Sequence, residues 1–149
     1  MRIVVDSNRV IAALIKESTT RETIFQKEFE FIAPDFIESE IDSHKNHIVE
    51  SAGITDEGFE ILLSLILENI ALIPQTDYIG FFNERKKEIK DEKDIPYLAV
   101  CLAKGAKGVW THDPYFLEQK RIKIFTNKDM LGFIVGKSEY SKGNKFSSI

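Results

Sequence analysis

The sequence predicts an α/β fold with a central, mostly parallel five-stranded sheet flanked by helices. Five short runs of β-branched and aromatic residues alternate with longer stretches in which apolar residues recur at helical spacing. Strands that alternate with helices are typical of a parallel sheet with helical crossovers. The 149 residues, of which 43% are hydrophobic, suit one domain with a sizeable core. We expect this domain to span residues 1–136, and the weakly apolar residues 137–149 to form a flexible tail.

The first half of the chain is predicted to contain three strands and four helices. Hydrophobic spacing indicates the helices, and Gly or Pro marks several of the ends. In order, the elements are a strand at Ile3–Val5, a helix at Arg9–Lys16 capped by Ser7 or Asn8, a helix opening at Thr19 with Ile24, Phe25 and Phe29 inward, a strand at Phe31–Ala33, a helix at Asp35–Glu50 closed by Gly53, a helix at Thr55–Asn69 and a strand at Ala71–Pro74.

The second half is predicted to contain two strands and four helices. The patterns are the same, with Gly105 as the clearest helix stop. In order, the elements are a helix at Tyr78–Lys90 with Phe81, Phe82 and Ile89 inward, a helix at Asp94–Lys104 with Ile95, Leu98, Ala99 and Leu102 inward, a strand at Gly108–Thr111, a short helix at Tyr115–Gln119, a strand at Ile122–Phe125 and a helix at Asn127–Val135.

The helix at Thr55–Asn69 has more apolar width than one face of a sheet needs. Excess apolar surface marks a contact site, so we expect a homodimer. The apolar residues concerned are Ile61, Leu62, Leu63, Leu65, Ile66 and Leu67.

The composition argues against several classes of protein. With a lone cysteine, Cys101, the chain forms no intrachain disulfide, which favours a reducing cytoplasm and a buried, inert thiol. No segment of the sequence is long and apolar enough to span a membrane, and the N-terminus lacks the pattern of a signal peptide. The Gly-rich motifs of dinucleotide-binding and P-loop proteins are missing. We therefore expect a cytoplasmic protein with no membrane partner.

The formal net charge of −4 argues at first against a nucleic-acid partner. This argument weakens if four acids are gathered in one metal site. The remaining acids would then be matched by the 20 Lys and Arg residues.

Carboxylates occur where the predicted strands end and on the helices beside them. Asp6 ends the first strand, Asp113 follows the fourth, and Asp94 begins the helix that leads into the fourth. Ligands of open α/β sheets bind just outside the carboxyl ends of the strands. Glu40 lies at the border of the inner face of its helix, from which a carboxylate can reach a cleft.

We expect these four carboxylates to share a divalent cation. Four carboxylates ~5 Å apart would repel one another by roughly 3 kcal/mol per pair at an effective dielectric constant of about 20. A divalent cation makes such a cluster favourable, and all-oxygen carboxylate sites suit Mg²⁺ or Mn²⁺.

Simpler interpretations remain open for these acids. Asp94 and Asp113 are good helix N-caps, and Asp113 is followed by Pro114 at the first helical position. Glu40 taken alone fits a solvated helix face. Asp6 is harder to explain without a ligand, because a carboxylate that closes an apolar strand needs a partner.

Three further features have both a functional and a simpler interpretation. Glu40, His44 and His47 lie at i, i+4 and i+7, a spacing that could form a zinc site. A surface helix with two histidines, however, usually binds no metal. His112 could contact a scissile phosphate or be a bystander. The charged run Glu84–Lys93 is either a solvated face or a patch that grips phosphates, since it leads into the acidic motif.

The acidic positions resemble the motifs of the PIN domain family. They are Asp6 in VVDSN, Glu40 six residues after Pro34, Asp94 in DEKDIPYLAVCLAKGA and Asp113 in VWTHD. The resemblance covers roughly residues 2–135, and its most specific part is residues 94–113.

The resemblance implies a Rossmann-like α/β/α fold and a metal-dependent endoribonuclease, often the toxin of a toxin–antitoxin pair and often dimeric. RNA is then the expected substrate, and a small antitoxin protein is a candidate partner. The residues that match the family's catalytic and metal-binding acids are Asp6, Glu40, Asp94 and Asp113, and those that match positions supporting the site are Asn8 and Thr111.

The chain departs from the family pattern at several positions. Ser7 stands where Thr is usual and keeps the hydroxyl. His112 stands where Gly is usual, and Pro114-Tyr115 where a further acid often follows. Asp91 or Asp129 could serve as the auxiliary acid instead.

Two other classes of function are alternatives to the nuclease. One is a non-catalytic PIN-like module that binds RNA or protein. The other is a receiver-like domain phosphorylated on an Asp, which requires an acid pair after the first strand. Here Ser7 and Asn8 follow Asp6, so the receiver interpretation is disfavoured.

Overall fold

Five parallel strands form the central sheet of the computed structural model, which describes residues 1–82 and 92–136. The predicted α/β fold is therefore confirmed, and all four strand pairs are parallel. The strands are β1 (Arg2–Val5), β2 (Glu30–Pro34), β3 (Ile70–Ile73), β4 (Val109–Trp110) and β5 (Ile124–Phe125), in the order β3-β2-β1-β4-β5.

Eight α-helices flank the sheet in the part of the chain that the structure describes. None of them has the length and apolar character needed to cross a membrane. They are α1 (Ser7–Ile15), α2 (Thr19–Ile24), α3 (Ile37–Ser43), α4 (Lys45–Ala52), α5 (Asp56–Leu67), α6 (Gln75–Tyr78), α7 (Ile95–Lys104) and α8 (residues 127–136), with 3₁₀ helices at Ile79–Phe81 and Pro114–Glu118.

β1 lies at the centre of the sheet, between β2 and β4. Ile3, Val4 and Val5 are completely buried, which suits a parallel strand covered on both faces, where β-branched side chains pack well. The central position of β1 brings its carboxyl end to the middle of one edge of the sheet.

Helix α7 packs across β1, β2 and β4. Every residue from Ile95 to Cys101 is buried, so this helix is covered over more than the predicted inner stripe. Gly105 ends it in a left-handed conformation with φ of 61°, as predicted. Because α7 leads into a strand parallel to β1, it runs against the strand direction, and its N-terminus lies at the carboxyl edge of the sheet.

Helix α1 begins at Ser7 and ends at Ile15, earlier at both ends than predicted. The predicted caps, Ser7 and Asn8, are wrong, because Asp6 is the N-cap and its side chain accepts a hydrogen bond from the Ser7 N–H. The same carboxylate therefore closes the strand and begins the helix.

The predicted helix Asp35–Glu50 is two helices, α3 and α4, that meet at His44. The backbone of His44 has φ of −105° and ψ of 6°, and its ring Nδ1 lies 2.8 Å from the carbonyl oxygen of Glu40. A side chain that bonds to the backbone of the preceding turn competes with helix continuation. Gly53 ends α4 with φ of 66°, as predicted.

The prediction of a helix from Tyr78 to Lys90 is wrong at its start. Helix α6 ends at Tyr78, and a 3₁₀ helix carries the chain on to Phe81, whose side chain is exposed rather than inward. Phe25, which was also predicted to face inward, is exposed as well. The short helix predicted at Tyr115–Gln119 is a 3₁₀ helix. Residues 83–91, which include Ile89, and the predicted tail 137–149 lie outside the described residues.

Candidate active site

Asp6 places a carboxylate in the middle of the carboxyl edge of the sheet. Val5 is in register with Trp110 of β4, so Asp6 and Thr111, which follow them, are neighbours. Thr111 Oγ1 donates to Asp6 Oδ2 at 2.7 Å, and the Ser7 N–H donates to Asp6 Oδ1 at 2.7 Å. Asp6 is only 3% exposed, and both of its oxygens accept hydrogen bonds.

Burial raises the pKa of Asp6 from 3.8 to about 7. Hydrogen bonds from Thr111 and Ser7 lower this pKa, while the negative charges of Glu40 and Asp113 raise it. Ionising a buried carboxylate among like charges is costly, and a bound cation offsets that cost. The electrostatics of the site therefore favour a cation.

Glu40 reaches the same cluster from α3. Ser7 Oγ lies 3.2 Å from Glu40 Oε2 and 3.5 Å from Asp6 Oδ1, so one hydroxyl links the two acids. Burial raises the pKa of Glu40, whereas hydrogen bonds from Tyr97 and Ser7 lower it. The interpretation of Glu40 as a solvated helix residue is wrong, because its carboxylate is partly buried and bonded on both oxygens.

Tyr97 is a site residue that the sequence reasoning missed. Its hydroxyl donates to Glu40 Oε1 at 2.5 Å from a fully buried position on α7. Burial and then the charge of Glu40 raise the pKa of Tyr97, so the phenol remains a hydrogen-bond donor. The sequence contained one signal for Tyr97, namely a single phenol in an otherwise apolar helix. A buried Tyr hydroxyl needs a hydrogen-bond partner, so such a residue points to a polar group nearby.

Thr111 connects Asp6 to the last acidic motif. Its Oγ1 donates to Asp6 and accepts from the Asp113 N–H at 3.0 Å and from Asn8 Nδ2 at 3.2 Å. Asn8 Oδ1 in turn accepts from the His112 N–H at 3.2 Å. Asn8 and Thr111 thus lie together beside Asp6.

Asp113 and Asp94, which the sequence also allowed to be simple helix N-caps, differ from each other in the structure. Asp113 is a cap, since its Oδ1 accepts from the Tyr115 N–H at 2.9 Å, and its charge also raises the pKa of Asp6. Asp94 occupies the N-cap position of α7, but its side chain accepts no capping hydrogen bond. Asp94 is 6% exposed and lies one turn before Tyr97, at the same edge of the sheet.

A second set of residues missed from the sequence supports Asn8. Arg9 Nε donates to Asn8 Oδ1 at 3.0 Å, and Arg9 Nη1 donates to Asn127 Oδ1 at 3.2 Å. The same oxygen of Asn127 accepts from Trp110 Nε1 at 2.9 Å. These bonds connect the start of α8 to Asn8 and, through Thr111, to the acids. No local sequence pattern marks residues that meet only in the folded chain.

The zinc hypothesis for Glu40, His44 and His47 is wrong. The break at His44 removes the continuous helix face that the spacing required, and the His44 ring is engaged by the backbone of Glu40. Among residues 1–82 and 92–136, no three His, Cys, Asp or Glu side chains are grouped so as to hold a metal ion.

Of the two candidate auxiliary acids, Asp129 is engaged in capping a helix. Asp129 Oδ2 accepts from the N–H and the hydroxyl of Thr126, at 2.8 and 3.0 Å, in a capping arrangement at the start of α8. Asp91 lies outside the described residues, as does most of the run Glu84–Lys93.

His112 and Cys101 were singled out for other reasons. The His112 side chain is exposed, and contact with a phosphate stays a prediction. Cys101 is buried, its thiol lies 3.6 Å from the Ala106 carbonyl oxygen, and burial raises its pKa to about 11. Such a thiol is unreactive, as predicted.

The chemistry of the four acids fits a hard divalent cation. Asp6, Glu40, Asp94 and Asp113 offer only carboxylate oxygens, which suit Mg²⁺ or Mn²⁺. In the part of the chain described, hydroxyl and N–H groups hold the oxygens of Asp6 and Glu40, and the acids do not form a closed ligand group. The donor set is thus suitable, and hydrogen bonds hold two of its members, Asp6 and Glu40.

Comparison with known protein families matches residues 4–127 to the family described as the PIN domain. The chain belongs to the PIN domain family. PIN domains are generally nucleases and typically use divalent metals. Among curated proteins, no relative matches the chain. The resemblance carried by the four acidic motifs is therefore confirmed at the level of the family.

We expect the metal-free PIN domain to lose stability as the pH rises from about 4 to about 7. The pKa of Asp6 is about 7 in the folded chain, against 3.8 as the ordinary value. In this window the folded state binds a proton that the unfolded state releases, so stability falls as the pH rises. Asp6→Asn should flatten this dependence, as measured by melting curves in EDTA at several pH values.

The matched control is Asp42→Asn, which removes one charge from an exposed position on α3. It should keep the wild-type pH dependence. The same slope in wild type and Asp6→Asn would contradict the raised pKa.

Proposed function

We propose that this PIN domain is a divalent-metal-dependent endoribonuclease that hydrolyses RNA phosphodiester bonds. The observation that carries the proposal is the buried Asp6, whose pKa is raised to about 7 beside Glu40 and Asp113. Strongly perturbed acids cluster at functional sites, and this one stands at the carboxyl edge of a parallel sheet. Membership in a family of nucleases supports the reaction class.

In this proposal, Asp6, Asp94 and Asp113 hold one Mg²⁺ or Mn²⁺, and Glu40 completes its shell or that of a second ion. When bound, the ion would supply Lewis-acid chemistry that activates water and offsets the charge that develops on the phosphate. The protein then needs no side chain as nucleophile.

The surrounding donors have positioning roles. Thr111 and the backbone of Ser7 fix the two oxygens of Asp6, while Tyr97 and the Ser7 hydroxyl fix those of Glu40. Acids that are already oriented need little rearrangement to receive a ligand, and partners of this kind typically change metal affinity 10–100-fold.

We further propose that the protein is the toxin of a toxin–antitoxin pair and acts in the cytoplasm with a small antitoxin as partner. The toxin role is proposed because many members of the PIN domain family are toxins. The buried thiol of Cys101, which forms no disulfide, agrees with a reducing compartment. A reading frame for a small antitoxin next to the gene would support it, and RNA cleavage that no co-expressed neighbour inhibits would count against it.

A non-catalytic PIN module is the second candidate. Two observations favour it: the described acids are not grouped as a closed metal site, and Pro114-Tyr115 stand where a further acid often follows. RNA cleavage with Mn²⁺ that EDTA stops would exclude this candidate.

We also propose that α5 is the contact of a homodimer, and we expect charge on its outer face to disrupt the dimer. Ile61 is 57% and Leu65 46% exposed, one turn apart on one face of α5. The double variant Ile61→Lys/Leu65→Lys should be monomeric by light scattering at tens of micromolar. Leu117→Lys, at an apolar residue 65% exposed in the 3₁₀ helix Pro114–Glu118, is the control and should leave the dimer intact. A monomeric wild type would overturn this proposal.

Asp94→Asn is the sharpest test of the catalytic proposal. Because Asn at an N-cap position is about as favourable as Asp, this substitution should not weaken the start of α7. Removal of one negative charge from the cluster should raise the stability of the metal-free protein by on the order of 1 kcal/mol. Mn²⁺ should then raise the melting temperature of wild type more than that of the variant. RNA cleavage should fall by at least about a hundredfold.

The measurements are melting curves in EDTA and in Mn²⁺, together with one cleavage assay. Asp42→Asn again serves as the control for the loss of a charge, and it should behave as wild type. If Asp94→Asn keeps both the wild-type cleavage rate and the Mn²⁺-induced shift, the proposed site is wrong.

A further inference from the structure

The buried guanidinium of Arg9 makes two hydrogen bonds, and both of them lead to Thr111. Arg9 is 8% exposed; its Nε donates to Asn8 Oδ1 at 3.0 Å and its Nη1 donates to Asn127 Oδ1 at 3.2 Å. Asn8 is bonded to Thr111 itself. Asn127 is bonded to Trp110, the residue before Thr111 in the chain. Arg9 therefore supports Thr111 from two directions.

The path through Asn8 fixes the direction of every hydrogen bond from Arg9 to Asp6. Asn8 Oδ1 faces two groups that can only donate, Arg9 Nε and the N–H of the residue after Thr111, so Nδ2 is the end of the amide that faces Thr111. Thr111 Oγ1 accepts from Asn8 Nδ2 and from the Asp113 N–H, which occupies both of its lone pairs. Its one proton is left for Asp6 Oδ2, to which it donates at 2.7 Å.

The path through Asn127 holds the end of the strand that leads to Thr111. Asn127 Oδ1 accepts from Arg9 Nη1 and, at 2.9 Å, from Trp110 Nε1. Trp110 is completely buried and is the last residue of β4. Loss of the Arg9 donors would thus affect Thr111 both through the amide that bonds to its hydroxyl and through the strand that precedes it.

The guanidinium also lies in the electric field of the proposed metal site. Burial lowers the pKa of Arg9, and the negative charge of Asp6 opposes this effect. Arginine stays protonated in proteins, so Arg9 carries a fixed positive charge. A positive charge near a cation site repels the cation, and by charge alone Arg9 would weaken metal binding. Support of the Thr111 hydroxyl has the opposite effect, so the two contributions differ in sign.

We propose that Arg9 is a positioning residue of the metal site, which acts by holding the Thr111 hydroxyl in place to donate to Asp6. This inference rests on the proposed function, since it takes Asp6 as a ligand of the divalent cation. The guanidinium suits this role because its donors form a rigid, planar fork that reaches two acceptors at once. Groups that orient metal ligands typically change metal affinity 10–100-fold when they are removed.

The test is the Mn²⁺ affinity of Arg9→Met and Arg9→Lys, obtained from free Mn²⁺ by electron paramagnetic resonance during titration. Arg9→Met keeps a long, unbranched side chain and removes both the donors and the charge. We expect an affinity at least about tenfold lower than that of wild type, whereas a purely electrostatic role predicts a higher affinity. Arg9→Lys keeps the charge and replaces the fork by one ammonium group. We expect an affinity at least about threefold lower, whereas a purely electrostatic role predicts the wild-type value.

The matched control is Arg21→Met, the same substitution at an arginine that does not lead to the acids. Arg21 Nε donates to the Ala13 carbonyl oxygen at 2.7 Å and Arg21 Nη2 to that of Leu14 at 3.5 Å, near the end of α1. Arg21→Met removes the same charge and two bonds of a guanidinium. It should keep the wild-type Mn²⁺ affinity even where its melting temperature falls.

Circular dichroism shows whether each variant folds. If Arg9→Met does not fold, Arg9→Lys and Asn127→Ala decide. Asn127→Ala removes the acceptor of Arg9 Nη1 and should lower the Mn²⁺ affinity by at least about threefold. Unchanged or higher affinity in Arg9→Met, wild-type affinity in Arg9→Lys or in Asn127→Ala, or an equal loss in Arg21→Met would each overturn the proposal.

The role of Arg9 and the hydrolytic function fail in different ways. Mn²⁺ binding that depends on Arg9, without RNA cleavage in Mn²⁺, supports the role of Arg9 and refutes the hydrolase. RNA cleavage in Mn²⁺, with equal Mn²⁺ affinity in wild type and both Arg9 variants, supports the hydrolase and refutes the role of Arg9. The absence of a saturable Mn²⁺ site in wild type refutes the metal site and the role of Arg9 with it.

Discussion

The burial of one carboxylate, that of Asp6, is the constraint on which the rest of the site depends. The residue continues β1, the central strand of the sheet, and is itself 3% exposed. A carboxylate in such a place must be hydrogen-bonded or paired. Here a hydroxyl from the end of β4 and the first N–H of α1 satisfy its oxygens. Its pKa of about 7 nevertheless shows that ionisation is still costly, so the fold holds an acid that a cation would stabilise.

The other acids reach this point because several elements end at the same edge of the sheet. Strand order β3-β2-β1-β4-β5 places β1 between β2 and β4, where the chain connections diverge and ligands of open α/β sheets bind. Helix α7 runs against the strands and brings Asp94 and Tyr97 to that edge, while α3 brings Glu40. The Ser7 hydroxyl then links Asp6 and Glu40, and the Tyr97 hydroxyl donates to Glu40.

The sequence alone predicted the sheet and the acids near its carboxyl edge, because both depend on local patterns. A β-branched run that ends in an acid predicts a buried strand and a group at its carboxyl end. The partners of those acids depend on tertiary contacts that no local pattern contains, since Tyr97 and Glu40 are 57 residues apart and Arg9 and Asn127 are 118 apart. The break at His44 was missed because the ring competes with the helix backbone, an effect that hydrophobic spacing does not register.

If hydroxyl donors orient Asp6 for a divalent cation, the most direct test is Mn²⁺ binding to Thr111→Val. This substitution keeps the shape of the side chain and removes the donor to Asp6 Oδ2. Free Mn²⁺, measured by electron paramagnetic resonance during titration, gives the affinity without requiring any RNA. We predict a saturable site in wild type and Mn²⁺ affinity lower by at least about tenfold in Thr111→Val. Thr76→Val, at an exposed threonine on α6, should keep the wild-type affinity. Equal Mn²⁺ affinity in wild type and Thr111→Val, or no saturable site in either, would contradict this prediction.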